Sequence, residues 1–600
     1  MESPMPRRRD LMMGAGALAA AAATRAVAGA DPDSALGALL SRHMDEYLAM
    51  SPEAATSALN DARGKAARWK LDDRSPAGKA RATAAARRWR AELKRIDRAA
   101  LSPAMAIDYD CAAFSYEMLA EVGALYGFQD HALRPGPYIV SQMSGAYYWL
   151  PQRFAHAAVA TRDDADAYLS RLAAFAVTLD QERARIAEDA AAGVRPPDFI
   201  LATTMGQIAE LRDTGPAGSS LVKGPAARAD AAGLHDVGPA ARKIFETQIA
   251  PALDRQAAAL AALKARASTE AGVWRLPRGD EWYALGLRSN TTVATPPEEM
   301  HQLGLDTFAR MSAELDGLLK AQGLTQGPVG ARLQALDVDP RFLKTNDDAG
   351  RAEILAYAHL RVAKVQALLP KAFRTLPDRD MLIERAPIAI QDGAPGAEYS
   401  GPPADGSRPG VISINLKTPS ELPTWRIPTL LHHEGDPGHH LQGAVFRKTR
   451  GDRAPLYKQF AQYSAYVEGW AHYAERLAGE IGAYEDDPFG KIGAVQAALF
   501  RAARIVVDTG IHHKRWSRAE ATGWMVENAG EPVSSAQREI DRYCVYPGQA
   551  CAFMVGRLEL VRVREAAKAR QGAAFDVRDW HEAVLRAGPV PMEVLGRTFS

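Results

Sequence analysis

Four of the fourteen histidines fall within nine residues, as His432, His433, His439 and His440. They lie in the run Thr429-Leu430-Leu431-His432-His433-Glu434-Gly435-Asp436-Pro437-Gly438-His439-His440-Leu441-Gln442. Zinc accepts neutral imidazole nitrogens and carboxylate oxygens, and a catalytic zinc site keeps one position open for water. A glutamate beside a ligand histidine is where a general base for that water belongs. The run therefore reads as a metal site with Glu434 as its base.

The spacing is not that of a plain helical motif. His433 and His439 are six residues apart, and at ~100° per residue a regular helix would point them about 120° away from each other. Pro437 interrupts such a helix, because it has no N–H for the carbonyl of His433 and its ring clashes there. Gly438 relaxes the backbone further. An expanded turn would bring His433 and His439 onto one metal, and the Pro-Gly insertion favours this pair. His433 with His440 and His432 with His439, each seven residues apart on one face of an unbroken helix, stay open as rivals.

A third ligand is expected from a second helix. The segment Tyr466-Val467-Glu468-Gly469-Trp470-Ala471-His472-Tyr473-Ala474-Glu475 carries Glu468, His472 and Glu475 on one helical face. Its glycine and aromatic residues mark that face as buried, where carboxylates need a partner such as a metal.

Four motifs then occur in order: His433-Glu434-x-x-Pro437-Gly438-His439-His440-Leu441-Gln442; Glu468-Gly469-Trp470-Ala471 with Glu475; Asp508-Thr509-Gly510-Ile511-His512; and Arg542-Tyr543 before Pro547-Gly548-Gln549-Ala550. Together they resemble the bacterial family catalogued as domain of unknown function 885, which is similar to the gluzincin metallopeptidases. The resemblance implies one Zn2+ per chain, held by His433, His439 and Glu468. It implies that Glu434 takes the water proton and passes it to the leaving amine. Tyr543, His512 and Tyr546, in that order, are candidates for stabilising the oxyanion. Asp508 and Glu475 are candidates for orienting ligand histidines.

The elements that must position these residues are mostly helical, so the fold class expected is mainly α, with a small sheet beside the metal-binding helix pair. A capping box at Thr161-Arg162-Asp163-Asp164 opens one helix, Pro296-Pro297-Glu298 another that reaches Gly323, and a third spans about 346 to 369. Thr214 to Gly224 and Asp392 to Gly410, rich in Gly, Pro and Ser, read as surface loops. Val411 to Leu416 is the best strand, alternating and β-branched. Placed just before the metal helix, it would suit an extended peptide adding to a sheet edge, with Asn415 against the substrate backbone. Arg504, Arg538 or Arg542 would suit a terminal carboxylate.

Residues 1–30 read as a twin-arginine export signal: Arg7-Arg8-Arg9, an alanine-rich apolar run, and Ala28-Gly29-Ala30 as cleavage site. The mature chain divides into a predominantly helical part, 31–383, and a metallopeptidase-like part, 384–600, expected to form one continuous fold. The expected product is periplasmic or secreted, met by the twin-arginine translocation machinery during export and without stable membrane insertion afterwards. Charges nearly cancel, at +1 overall, so neither nucleic acid nor an acidic membrane is implied as a partner. Three cysteines, Cys111, Cys544 and Cys551, are no disulfide framework, although a Cys544–Cys551 bond is open.

The expected function is hydrolysis of peptide bonds in oligopeptides or dipeptides. Two alternatives share the motifs: hydrolysis of non-peptide amides or modified amino acid conjugates, and noncatalytic peptide binding around a structural metal.

Overall fold

The computed structural model describes residues 31–600 except 60, 131, 379–380, 389–390, 392–395, 403–407, 451–455 and 461. The export-signal reading lies outside the described residues. Alanine- and leucine-rich periodicity gives a mainly α protein. Its principal helices are α1 (Pro103–Gly123), α2 (Arg162–Ala191), α3 (Pro297–Ala321) and α4 (Asp348–Leu368). After the sheet come α5 (Ile427–Glu434), α6 (His439–Arg450), α7 (Ser464–Glu480), α8 (Pro488–His512), α9 (Val533–Val545) and α10 (Ala552–Gln571). The caps follow the sequence signals: Thr161 and Asp164 bond reciprocally to open α2, and Asp347 caps α4 through the N–H of Gly350.

The small sheet consists of β1 (Leu382–Arg385), β2 (Ala397–Ser400) and β3 (Val411–Ile414), in the order β1-β3-β2. β3 pairs in parallel with β1 and antiparallel with β2, Tyr399 facing Ile412. This corrects two expectations. The segment from 392 to 410 is not all loop, because β2 lies within it. β3 is also not an edge: both its sides are paired, so the edges are β1 and β2, of which β2 lies against Glu434. Asn415 is tied internally, its side-chain amide donating to the carbonyl of Gln391 at 2.8 Å. The expected loop from 214 to 224 contains a helical turn at Gly215–Gly218 and the start of another helix at Lys223.

The largest core joins Cys111, Phe114 and Met118 of α1 to Tyr466, Trp470 and Tyr473 of α7 and to Leu560 and Val563 of α10. Residues on both sides of position 383 thus bury the same apolar surface, and β1 itself crosses that position. α3 runs along α8, and α7 along α10. The second contact is very close. A Cβ on Gly469 would lie 2.5 Å from the Cα of Gly556, and one on Gly556 only 1.9 Å from the carbonyl oxygen of Ala465. Only hydrogen side chains permit it, and it seats α7 deep in the core. Cys111, Cys544 and Cys551 are free and buried, so the open disulfide is not formed. Among the described residues no helix is long and apolar enough to cross a membrane.

Candidate metal centre

The helix breaks where Pro437 requires. The N–H of Gly435 donates to the carbonyl of Leu431 at 2.8 Å, closing α5, and that of Gln442 donates to Gly438 at 2.9 Å in the opening turn of α6. Between them the chain folds back so tightly that a Cβ on Gly438 would meet the His433 carbonyl oxygen at 1.9 Å. The indole N–H of Trp470 donates to the carbonyl of Pro437 at 3.0 Å. α7 therefore holds the turn as well as supplying a candidate ligand.

The break converges three side chains. Donor atoms of His433, His439 and Glu468 all lie within 4.8 Å of one another. Glu468 Oε2 is 3.5 Å from Nε2 of His433 and 3.6 Å from Nε2 of His439. Ligands 2.0–2.2 Å from a tetrahedral zinc ion are separated by ~3.4 Å, so these spacings and this donor set fit zinc. The two imidazole rings are nearly perpendicular, 83° apart with centroids at 5.0 Å. The rival pairings are not assembled. His432 turns its Nδ1 toward the carbonyl of Asp436 at 3.3 Å, and Nδ1 of His440 lies 3.0 Å from the hydroxyl of Tyr399.

Behind the ligands stands a buried ionic network. Glu475 Oε1 is 2.7 Å from Nδ1 of His433, which leaves Nε2 of that ring toward Glu468. Its other oxygen is 3.1 Å from His472 Nδ1, and Arg501 lies 3.1 Å from Oε1. Burial alone would raise the pKa of Glu475, but Arg501, His472 and His433 hold it well below the carboxylate range. Burial likewise works against a charge on His433, yet Glu468 and Glu475 outweigh it and raise the ring to about 9. The two carboxylates thus favour a positive charge on His433, one of the three converging donors.

Glu434, the last residue of α5, reaches the sheet. The backbone N–H of Tyr399 donates to its Oε2 at 3.0 Å. That N–H belongs to edge strand β2, so the carboxylate borders the side of β2 that β3 leaves unpaired.

The sequence profile of a bacterial protein family of unknown function, DUF885, matches residues 52–598. The chain belongs to the DUF885 family. Two solved structures are similar to this DUF885 chain, both described as "putative lipoproteins". The one from Colwellia psychrerythraea is 30% identical, with a TM-score of 0.90, covering 95% of this chain and 99% of its own. The other, from Shewanella oneidensis and of unknown function, is 17% identical with a TM-score of 0.70 over the same shares, a likeness of fold. No curated protein matches the chain.

The remaining predicted residues of this DUF885 protein are not all brought to the metal donors. His512 is fully buried; Nδ1 accepts from the N–H of Val273 at 3.1 Å and Nε2 lies 3.1 Å from the carbonyl of Tyr543. Burial pushes its pKa down to about 3. Both nitrogens are spent on backbone, so the ring has none left for a substrate. Asp508 is also buried and does not orient a ligand histidine. It accepts from Tyr283 at 2.7 Å and from the N–H of Gly548 at 3.0 Å, fixing the turn after α9. Tyr543 donates its hydroxyl to Glu539 at 2.7 Å, and Tyr546 donates to the carbonyl of Met143 at 3.3 Å. Their protons are committed within the protein. Arg538 is exposed, whereas Arg504 is buried.

Sequence reasoning missed Tyr399 and Arg501 in this DUF885 site. Tyr399 acts through its backbone N–H, which no side-chain pattern reports. Arg501 had a usable signal: it stands on α8 seven residues before Asp508 and three before Arg504, on a helix whose other residues are largely apolar.

Proposed function

We propose that this DUF885 protein is an exported zinc-dependent peptidase, gluzincin-like in design, that hydrolyses peptide bonds of oligopeptides or dipeptides. The observation that carries the reading is the convergence of His433, His439 and Glu468, with Glu434 next in the chain and fixed against an edge strand. Zinc held by those three residues supplies Lewis acidity toward water and toward the scissile carbonyl. Glu434 removes the proton from the attacking water and returns it to the leaving amine. The N–H of Tyr399 orients its carboxylate for that task. Strand β2 offers an extended substrate its backbone groups beside the base. Export is supported by the Arg7-Arg8-Arg9 segment with its apolar run, and agrees with the lipoprotein description of the solved relatives. Cleavage near Ala30 would deliver a periplasmic or secreted enzyme.

The test is Glu434→Gln. Elemental analysis should find one zinc per chain in wild type and variant alike, while cleavage of a peptide library falls by ~10²–10⁴-fold in the variant. Equal cleavage by the two proteins would overturn the assignment of the base, and absence of bound zinc that of the metal.

A further inference from the structure

Arg504 stands one helical turn along α8 from Arg501. Its guanidinium lies 4.3 Å from the ring of Phe553, and that ring stacks on His433 with centroids 6.3 Å apart. The residue is 4% exposed, and neither Nε nor Nη2 makes a hydrogen bond. Among the described residues no other buried arginine leaves both of these atoms unsatisfied.

Nε and Nη2 form one edge of the planar guanidinium, and their parallel N–H bonds match the two oxygens of a carboxylate. This protein uses that edge elsewhere. Arg98, Arg426 and Arg518 grip Asp110, Asp337 and Asp541 through it, at 2.6 to 2.9 Å. At Arg504 no such aspartate is supplied. Glu539 comes to 3.6 Å from Nη2, but it accepts from Tyr543 and also lies 3.5 Å from Arg542. Two guanidiniums thus share Glu539, and Glu468 is the other carboxylate near enough to act on Arg504. Two buried N–H groups that make no hydrogen bond cost stability that a well-placed carboxylate would restore.

We infer that the Nε/Nη2 edge of Arg504 anchors a free carboxylate of the substrate, so that cleavage occurs close to a C-terminal carboxylate, as in a dipeptidase or carboxypeptidase. This rests on the peptidase reading above. Two coplanar donors suit two oxygens better than the single oxygen of a reacting carbonyl. Both nitrogens are shielded from bulk water, so the incoming carboxylate has to displace neighbouring side chains to reach the edge that Glu539 borders, while Arg542 and Tyr543 retain Glu539.

The experiment compares a tripeptide library with free C-termini against the same library amidated. Zinc-loaded wild type should cleave the free acids at least ~10-fold more efficiently, and Arg504→Gln should remove that preference by raising KM for the acids about 10- to 100-fold. Glu539→Gln, which withdraws the competing charge, should lower KM for the acids. Calorimetric binding of both libraries to the Glu434→Gln protein provides a readout independent of turnover, with the acids bound more tightly. Equal cleavage and equal binding of acids and amides by wild type would overturn the anchor, as would an Arg504→Gln variant that loses kcat alike on both. Absence of all cleavage with preferential binding of the acids would instead overturn the peptidase reading and keep the anchor.

Discussion

A single carboxylate, Glu475, holds the candidate ligand His433: its Oε1 lies 2.7 Å from His433 Nδ1, with both groups buried. The contact fixes the ring and leaves Nε2 as the donor. Glu475→Gln should weaken zinc binding about 10- to 100-fold, measured by competition with a chromophoric chelator. Unchanged affinity would remove Glu475 from any part in presenting the ligand.

The contact of Gly469 with Gly556 sets how close α7 comes to α10. Gly469→Ala places a methyl 2.5 Å from the Gly556 backbone and must part the helices, costing about 1–3 kcal/mol of stability. Because Glu468 is the preceding residue, zinc affinity should fall along with Tm. A variant that melts earlier yet binds zinc normally would show that the donor geometry does not depend on this packing.

Tyr399 serves Glu434 through the backbone and His440 through its hydroxyl. Tyr399→Phe should therefore leave peptidase activity within a few-fold, whereas Glu434→Gln loses ~10²-fold or more. A comparable loss in both variants would assign chemistry to the phenol itself.

Burial pushes the carboxyl of Asp508 up to about 7, although Tyr283, Gly548 and Cys551 hydrogen-bond to it. The folded pKa lies above the ordinary value, so the folded protein holds an extra proton between about pH 4 and pH 7. Stability from this group is fully present below that window and is lost as pH rises through it. Asp508→Asn should gain stability relative to wild type on going from pH 5 to pH 8, by up to a few kcal/mol. A difference between the two denaturation midpoints that stays constant across that range would refute it.

Much of the site was legible because it is written in local chemistry. Pro437 must break a helix, and the break is there; Glu468, Gly469 and Trp470 share a helix whose buried face follows from their types. The strand at 411 was also legible, being β-branched and alternating. What escaped is decided by partners distant in the chain. β2 is only Ala397–Ser400 among glycines and prolines, and it is a strand because β3 lies beside it. That β3 is central and not an edge depends on β1, which takes its other side. The titratable residues Asp508 and His512 looked functional by type, and only their backbone partners reveal that they brace the turn around Tyr543 and Gly548.

Helix α8 also sets a length. Arg501 touches the carboxylate that presents His433, and Arg504 follows three residues later, an axial step of ~4.5 Å. One extended peptide residue covers ~3.5 Å. On the inferred anchor, the helix fixes the separation between the Arg501–Glu475 support of His433 and the point where a chain end would be gripped, so α8 would set which substrate lengths fit.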